Sequence, residues 1–103
     1  MNTLYIDTRN NKEIIVRLEK DGESFEQKSA AVKNHAQTIL PLIASLFKKA
    51  KIKTDDLDEI LVETGPGSFT GLKVGVAIAN TLSFAGQVKI NGKKLGQIIE
   101  PKY

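Results

Sequence analysis

Glu59-Ile60-Leu61-Val62-Glu63 runs straight into Thr64-Gly65-Pro66-Gly67-Ser68-Phe69-Thr70-Gly71, and this junction decides the fold. The first five residues read as a buried strand, a short apolar run held between turn signals. Gly65 and Gly67 permit backbone angles that other residues resist, Pro66 stiffens the turn, and Ser68 is a natural N-cap. A long helix follows, expected over residues 68–85, with Gly86 as its stop. A strand, a glycine-rich turn and a helix N-terminus together make a plausible anion site. The spacing excludes three familiar motifs. A P-loop needs a glycine where Thr70 or Leu72 stands, the dinucleotide pattern needs one at Thr70, and the hydrolase elbow needs one at Pro66. A purely structural turn is therefore preferred to a working phosphate loop, and both readings stay open.

Outward from the junction, three strands are expected first. Thr3 to Asp7 is an apolar run that delivers Asp7 and Thr8 to a sheet edge. Arg9-Asn10-Asn11 is turn chemistry, Glu13 to Leu18 is rich in β-branched residues, and Asp21-Gly22 is a hairpin signal leading into Glu23 to Ala30. The pattern then changes to a period near 3.6. Ile39, Leu42, Ile43, Leu46, Phe47 and Ala50 fall on one helical face, with Lys48, Lys49 and Lys51 facing away. Asn34 or His35 opens this helix. Pro41 either sits in its first turn or bends a longer helix, and the longer helix is favoured. Thr54-Asp55-Asp56 reads as a capped single turn. Beyond the second helix, Gln87 to Ile90 reads as a fifth strand, Asn91-Gly92 as a tight turn, Lys93 to Ile99 as a hairpin partner, and Pro101-Lys102-Tyr103 as a tail. The order is βββαβαβ, an α/β mixed sheet with helices in one layer against it.

Composition narrows the function. The chain has 103 residues, 41% hydrophobic and 26% charged, which suits one globular domain. Without cysteine there are no disulfides, thiolate metal sites or cysteine nucleophiles, and a single histidine excludes a multi-histidine site. No metal site and no catalytic residue is assigned. No apolar run approaches the roughly 20 residues that span a membrane. The N-terminus has no signal-peptide pattern, so a cytoplasmic location is expected. Fifteen basic against twelve acidic residues give a net charge of +3, spread along the chain, which reads as a solvated surface rather than a nucleic-acid patch.

The second helix is nearly apolar all round. Gly71, Gly75, Ala79 and Ser83 recur every four residues and form a small-residue stripe that lets another backbone come close. One sheet face does not cover such a helix completely, so its outer side is expected to meet a second copy or another protein, with full burial between the sheet and the first helix as the less favoured reading. Gly75→Arg is then expected to break association and leave the monomer folded. His35 could serve as a general base, although a structural role is favoured for a lone histidine. Asp7 could hold magnesium beside a nucleotide, although a turn-forming Asp is favoured. Asp55, Asp56, Asp58 and Glu59 read as a solvated acidic turn.

Several segments are similar to the TsaB (YeaZ) family of tRNA threonylcarbamoyladenosine biosynthesis proteins. Leu4-Tyr5-Ile6-Asp7-Thr8 resembles its opening strand. His35 through Leu46 resembles its His-x-x-x-Leu-Leu-Pro-x-Ile helix, and Leu57-Asp58-Glu59-Ile60 the segment before its fourth strand. Gly65-Pro66-Gly67-Ser68-Phe69-Thr70-Gly71-Leu72-Lys73-Val74-Gly75 resembles its hallmark Gly-Pro-Gly-Ser-Phe-Thr-Gly-Leu-Arg-Ile-Gly. The resemblance runs from Thr3 to about Ile90.

It implies an actin-like (ribonuclease H-like) half, with residues 1–103 a single N-terminal domain and the family's second domain absent, whether as a minimal form or a fragment. It also implies a non-catalytic partner that binds and stabilises TsaD through its two helices, with a TsaE-like ATPase in the same complex, tRNA met only indirectly, and a homodimer in isolation. The contact surface carried over would draw on Ile39, Leu42, Ile43, Leu46, Phe69, Leu72, Gly75, Val76 and Ala79. No cofactor is expected, and ATP or ADP with magnesium only in a complex. The alternative is a small nucleotide-binding domain with weak ATPase activity that uses Asp7, Thr8 and the Gly65–Gly71 loop. Peptidase activity is a weaker third reading. Arg9 stands where the family usually has Ser, Lys73 replaces its usual Arg and loses the bidentate fork, and the segment after Ile90 departs from its continuation.

Overall fold

Asp21 and Gly22, both at positive φ (48° and 87°), make the tight turn between two of the three strands that open the chain. These are β1 (Asn2–Asp7), β2 (Glu13–Lys20) and β3 (Glu23–Ala30), paired antiparallel as the expected meander, with Leu4 opposite Leu18 and Leu18 opposite Phe25. The computed structural model describes residues 1–10, 12–30, 35–93 and 98–102, with the backbone alone at 35–37 and 69. The expectations for Asn34 and for the His35 and Phe69 side chains lie outside what is described.

Helix α1 (His35–Ala50) contains Pro41, so the longer of the two expected helices forms. A single 3-10 turn at Thr54–Asp56 leads into β4 (Glu59–Val62), which pairs parallel to β1. Helix α2 (Phe69–Gly86) returns the chain to β5 (Lys89–Ile90), parallel to β4. The five-stranded order is β3-β2-β1-β4-β5. Alternation along the strands decides which face the helices cover. Leu4, Ile6, Ile14, Val16, Leu18, Ile60 and Val62 are buried, whereas Tyr5, Asp7, Ile15, Arg17 and Glu63 point the other way and are half-buried. Ile39, Ile43, Leu46, Leu72, Val76 and Ala79 close the core from the helix side.

Two local expectations change. Gly86 is still helical, and Gln87 makes the left-handed exit (φ 55°, ψ 47°). A Cβ at Gly86 would meet the Thr54 side chain at 2.9 Å, so packing against the 3-10 turn accounts for the glycine. The expected hairpin return reduces, among the described residues, to one bridge between Ile90 and Lys93. Ile98–Lys102 then runs without a ladder of its own. The Asn80 side chain holds it at Ile99, and Thr64 accepts from the Lys102 amide at 2.6 Å.

Candidate functional site

Two places carry the residues singled out from sequence: the carboxyl end of β1 with the glycine loop, and the outer side of the helix pair.

At the end of β1 the chain satisfies itself. Asp7 Oδ1 accepts from the Arg9 amide at 3.0 Å and from Arg9 Nε at 3.1 Å, and Oδ2 accepts from the guanidinium at 3.0 Å. The amide bond two residues on is the turn-forming contact expected of Asp7. The other side of the guanidinium meets Glu63 at 3.0 Å. Burial alone would raise the Asp7 pKa, but the hydrogen bonds and charge of Arg9 outweigh it and hold the carboxyl below its usual range. The same pairing pushes Arg9 up, first through its hydrogen bond to Asp7. Burial, and then the Asp7 and Glu63 carboxylates, push the Tyr5 phenol up. A hollow of about 360 Å³ lies beside Asp7, Arg9, Asn10 and Pro66. Its one basic side chain is already shared between two carboxylates, which makes it a poor phosphate site.

Thr8, carried as a possible nucleotide contact, is fully enclosed, and its hydroxyl donates to the Gly71 carbonyl at 2.7 Å. It is therefore a packing residue. The loop is turned onto the strand in the same way. Gly65 takes φ +115° and the Gly65–Pro66 bond is cis; the Ser68 amide donates to the Arg9 carbonyl at 2.8 Å; and a Cβ at Gly67 would meet that carbonyl at 2.7 Å. Ser68 Oγ accepts from the Gly71 amide at 3.3 Å, the cap expected from the sequence. Among the described residues no group of three or more His, Asp or Glu side chains is arranged to hold a metal ion.

The small-residue stripe does admit a close backbone, but that backbone belongs to the same chain. A Cβ on Gly71 would overlap the Thr8 carbonyl, and one on Gly75 would overlap the Thr8 hydroxyl and its methyl. Ala79 is enclosed, and Ser83 is buried with its hydroxyl on the Val88 carbonyl. The carried-over contact surface is corrected accordingly. Ile39, Ile43, Leu46, Leu72, Val76 and Ala79 are no more than 3% exposed, and side chains that the monomer encloses offer no area to a partner. Gly75 faces Thr8, so Gly75→Arg strikes the fold rather than an interface. Leu42 is half-buried and keeps part of its surface.

What faces outward is a different set. Leu40 of α1 is half exposed, and with Ala77, Ile78, Thr81 and Leu82 of α2 it lines a mainly apolar groove of about 260 Å³ between the helices. Phe84, three residues past Thr81, is 79% exposed. The sequence did carry a signal for these residues. Leu40 lies at the edge of the apolar face of its own helix, beside Phe47, and Ala77, Thr81 and Phe84 lie off the small-residue stripe.

Comparison with known proteins fits this fold. The family model described as "TsaD: tRNA N6-adenosine threonylcarbamoyltransferase" matches residues 4–92. The tRNA threonylcarbamoyladenosine biosynthesis protein TsaB of Bacillus subtilis is 35% identical over 88% of this chain and 40% of its own length. A probable tRNA N6-adenosine threonylcarbamoyltransferase of Drosophila melanogaster is 41% identical over 69% of this chain and 20% of its own. The solved structure of YeaZ from Pseudomonas aeruginosa superposes with a TM-score of 0.82 at 27% identity, covering 90% of this chain and 43% of that one. The chain thus spans about two-fifths of the length of the TsaB and YeaZ relatives it matches.

Proposed function

The chain belongs to the TsaB/YeaZ family, with its actin-like α/β fold, and on that premise we propose that it is a non-catalytic subunit in tRNA threonylcarbamoyladenosine synthesis that binds and stabilises a TsaD-like protein through its helix pair. The observation that carries this reading is the apolar groove between α1 and α2, lined by Leu40, Ala77, Ile78, Thr81 and Leu82 and open among the described residues. Its apolar wall, with the exposed Phe84 ring further along α2, is the kind of surface that is covered on association.

On this reading residues 1–103 stand for the first of the family's two similar halves. The same face forms a homodimer when the partner is missing, a TsaE-like ATPase joins the assembled complex, and tRNA is met through TsaD. The chain by itself holds no nucleotide, and ATP or ADP with magnesium belongs to the complex. The Arg9 guanidinium on Asp7 and the enclosure of Thr8 support that division.

The test is co-purification with the TsaD-like protein of the same organism, followed by tRNA modification with and without this chain. The reading requires a complex that Leu40→Asp disrupts and modification that depends on the chain. Modification at full rate in its absence sinks the proposal. Calorimetric heat on adding ATP and magnesium to the isolated chain would favour the nucleotide-binding alternative.

A further inference from the structure

Asn91-Gly92 is the one Asn-Gly pair in the sequence. A glycine has no side chain to shield its nitrogen, so this is the dipeptide in which that nitrogen most readily attacks the preceding asparagine amide. Here the pair makes the turn after β5. Both residues have positive φ (49° and 73°), and the Lys93 amide donates to the Ile90 carbonyl at 2.9 Å. The turn also extends the sheet. β5 pairs with β4 at two positions, Glu59 with Lys89 and Ile60 with Ile90. Asn91 carries the pairing further. Its backbone amide donates to the Ile60 carbonyl at 2.9 Å, its Nδ2 donates to the Val62 carbonyl at 2.9 Å, and its Oδ1 accepts from the Val62 amide at 2.8 Å. One side chain thus stands in for the next residue of a parallel strand. The Gly92 amide is taken as well, donating to Glu59 Oε2 at 2.7 Å. A carboxylate in that place keeps the proton on the nitrogen, because it disfavours the anion that proton loss would leave.

We propose that Asn91 is a modification site, a spontaneous deamidation whose rate is set by the opening of this turn. In the open turn the Gly92 nitrogen gives up its proton to water and bonds to Asn91 Cγ. The Cγ–Nδ2 bond breaks, and Nδ2 leaves as ammonia with a proton taken from water. A second water opens the resulting succinimide ring at either carbonyl and leaves aspartate or isoaspartate at position 91. In the closed turn both side-chain bonds to Val62 and the Gly92 bond to Glu59 must first be lost, so the fold protects the site. The loss of ammonia makes the change one-way. The product carries an oxygen where Nδ2 donated, so two acceptors face each other at Val62. Isoaspartate also adds a methylene to the backbone beside β5. Either product takes from the carboxyl end of β4 the partner that Asn91 supplied.

The experiment ages the wild-type chain at neutral pH, folded and in urea, and follows aspartate and isoaspartate at each asparagine by peptide mapping. In urea Asn91 should convert before any other asparagine, and in the folded chain it should convert about a hundredfold more slowly. Folded Glu59→Ala, which frees the Gly92 amide, should convert about tenfold faster than the folded wild type. In the modified chain the Val62 amide should exchange its hydrogen about tenfold faster than before, with Leu4 and Val16 unchanged. Should Glu59→Ala fail to fold, the two wild-type rates decide. Equal rates at Asn91 in the folded chain and in urea overturn the proposal. So does another asparagine converting first in urea, a folded Glu59→Ala chain no faster than the wild type, or a modified chain in which Val62 is as protected as before.

Discussion

Along one side of α2, Gly71, Gly75, Ala79 and Ser83 are buried, the glycines against Thr8 at the end of β1. Along the other, Ala77, Thr81 and Phe84 are exposed, and the first two line the groove that begins at Leu40 of α1. Both sides are built from small and apolar residues. Inside, the absence of a Cβ lets strand and helix touch. Outside, the small Ala77 side chain leaves a hollow between helices. The residue types alone do not separate these roles; which face the sheet occupies does.

The sharpest way to break that comparison is to change the inner side. Gly75→Arg should leave the chain unfolded, because the new side chain starts inside Thr8. Gly75→Ala is more instructive. In an open helix it would gain about 1 kcal/mol, whereas here overpacking should outweigh that and leave a net loss of about 2 kcal/mol, read from the denaturant midpoint. A gain in stability would mean that the stripe is not a close-approach seam. Next in size, Thr8→Val removes the enclosed hydroxyl that donates to the Gly71 carbonyl and should cost about 1 kcal/mol in the same measurement.

Much of the fold was legible in sequence. The Asp21-Gly22 turn, the β-branched run after Glu13 and the Ser68 cap each specify their element locally, and all three elements form. The Gly-Pro-Gly-Ser-Phe-Thr-Gly hallmark points to the family. The direction of the stripe was not legible, because periodicity places Gly71 and Gly75 on one face without saying what that face meets. Thr8 decides it from 63 residues away. The Asn80 clamp on Ile99 was equally hidden, since an amide that replaces a strand partner leaves no periodic trace.

A smaller effect sharpens the picture at the end of β1. The Asp7 pKa is held below its unfolded value of 3.8, so the Arg9 pairing stabilises the fold above that pH. The contribution fades as pH falls through the lower folded value. Asp7→Asn should therefore lose less than about 1 kcal/mol at neutral pH, because Arg9 is largely solvated. It should also flatten the loss of stability below pH 4 in acid titrations followed by circular dichroism. An acid limb as steep as that of the wild type would show that Asp7 carries no such linkage.

The outer side should respond least in stability and most in association. Ala77→Arg fills the groove with a charged side chain and should change folding stability by no more than about 0.5 kcal/mol. The decisive measurement is the affinity of this folded variant for the proposed TsaD-like partner, by calorimetry beside the wild-type chain. A loss of at least a hundredfold with an unchanged denaturant midpoint is the predicted result. Wild-type affinity in the folded variant would contradict the assignment of the helix-pair groove as the docking surface.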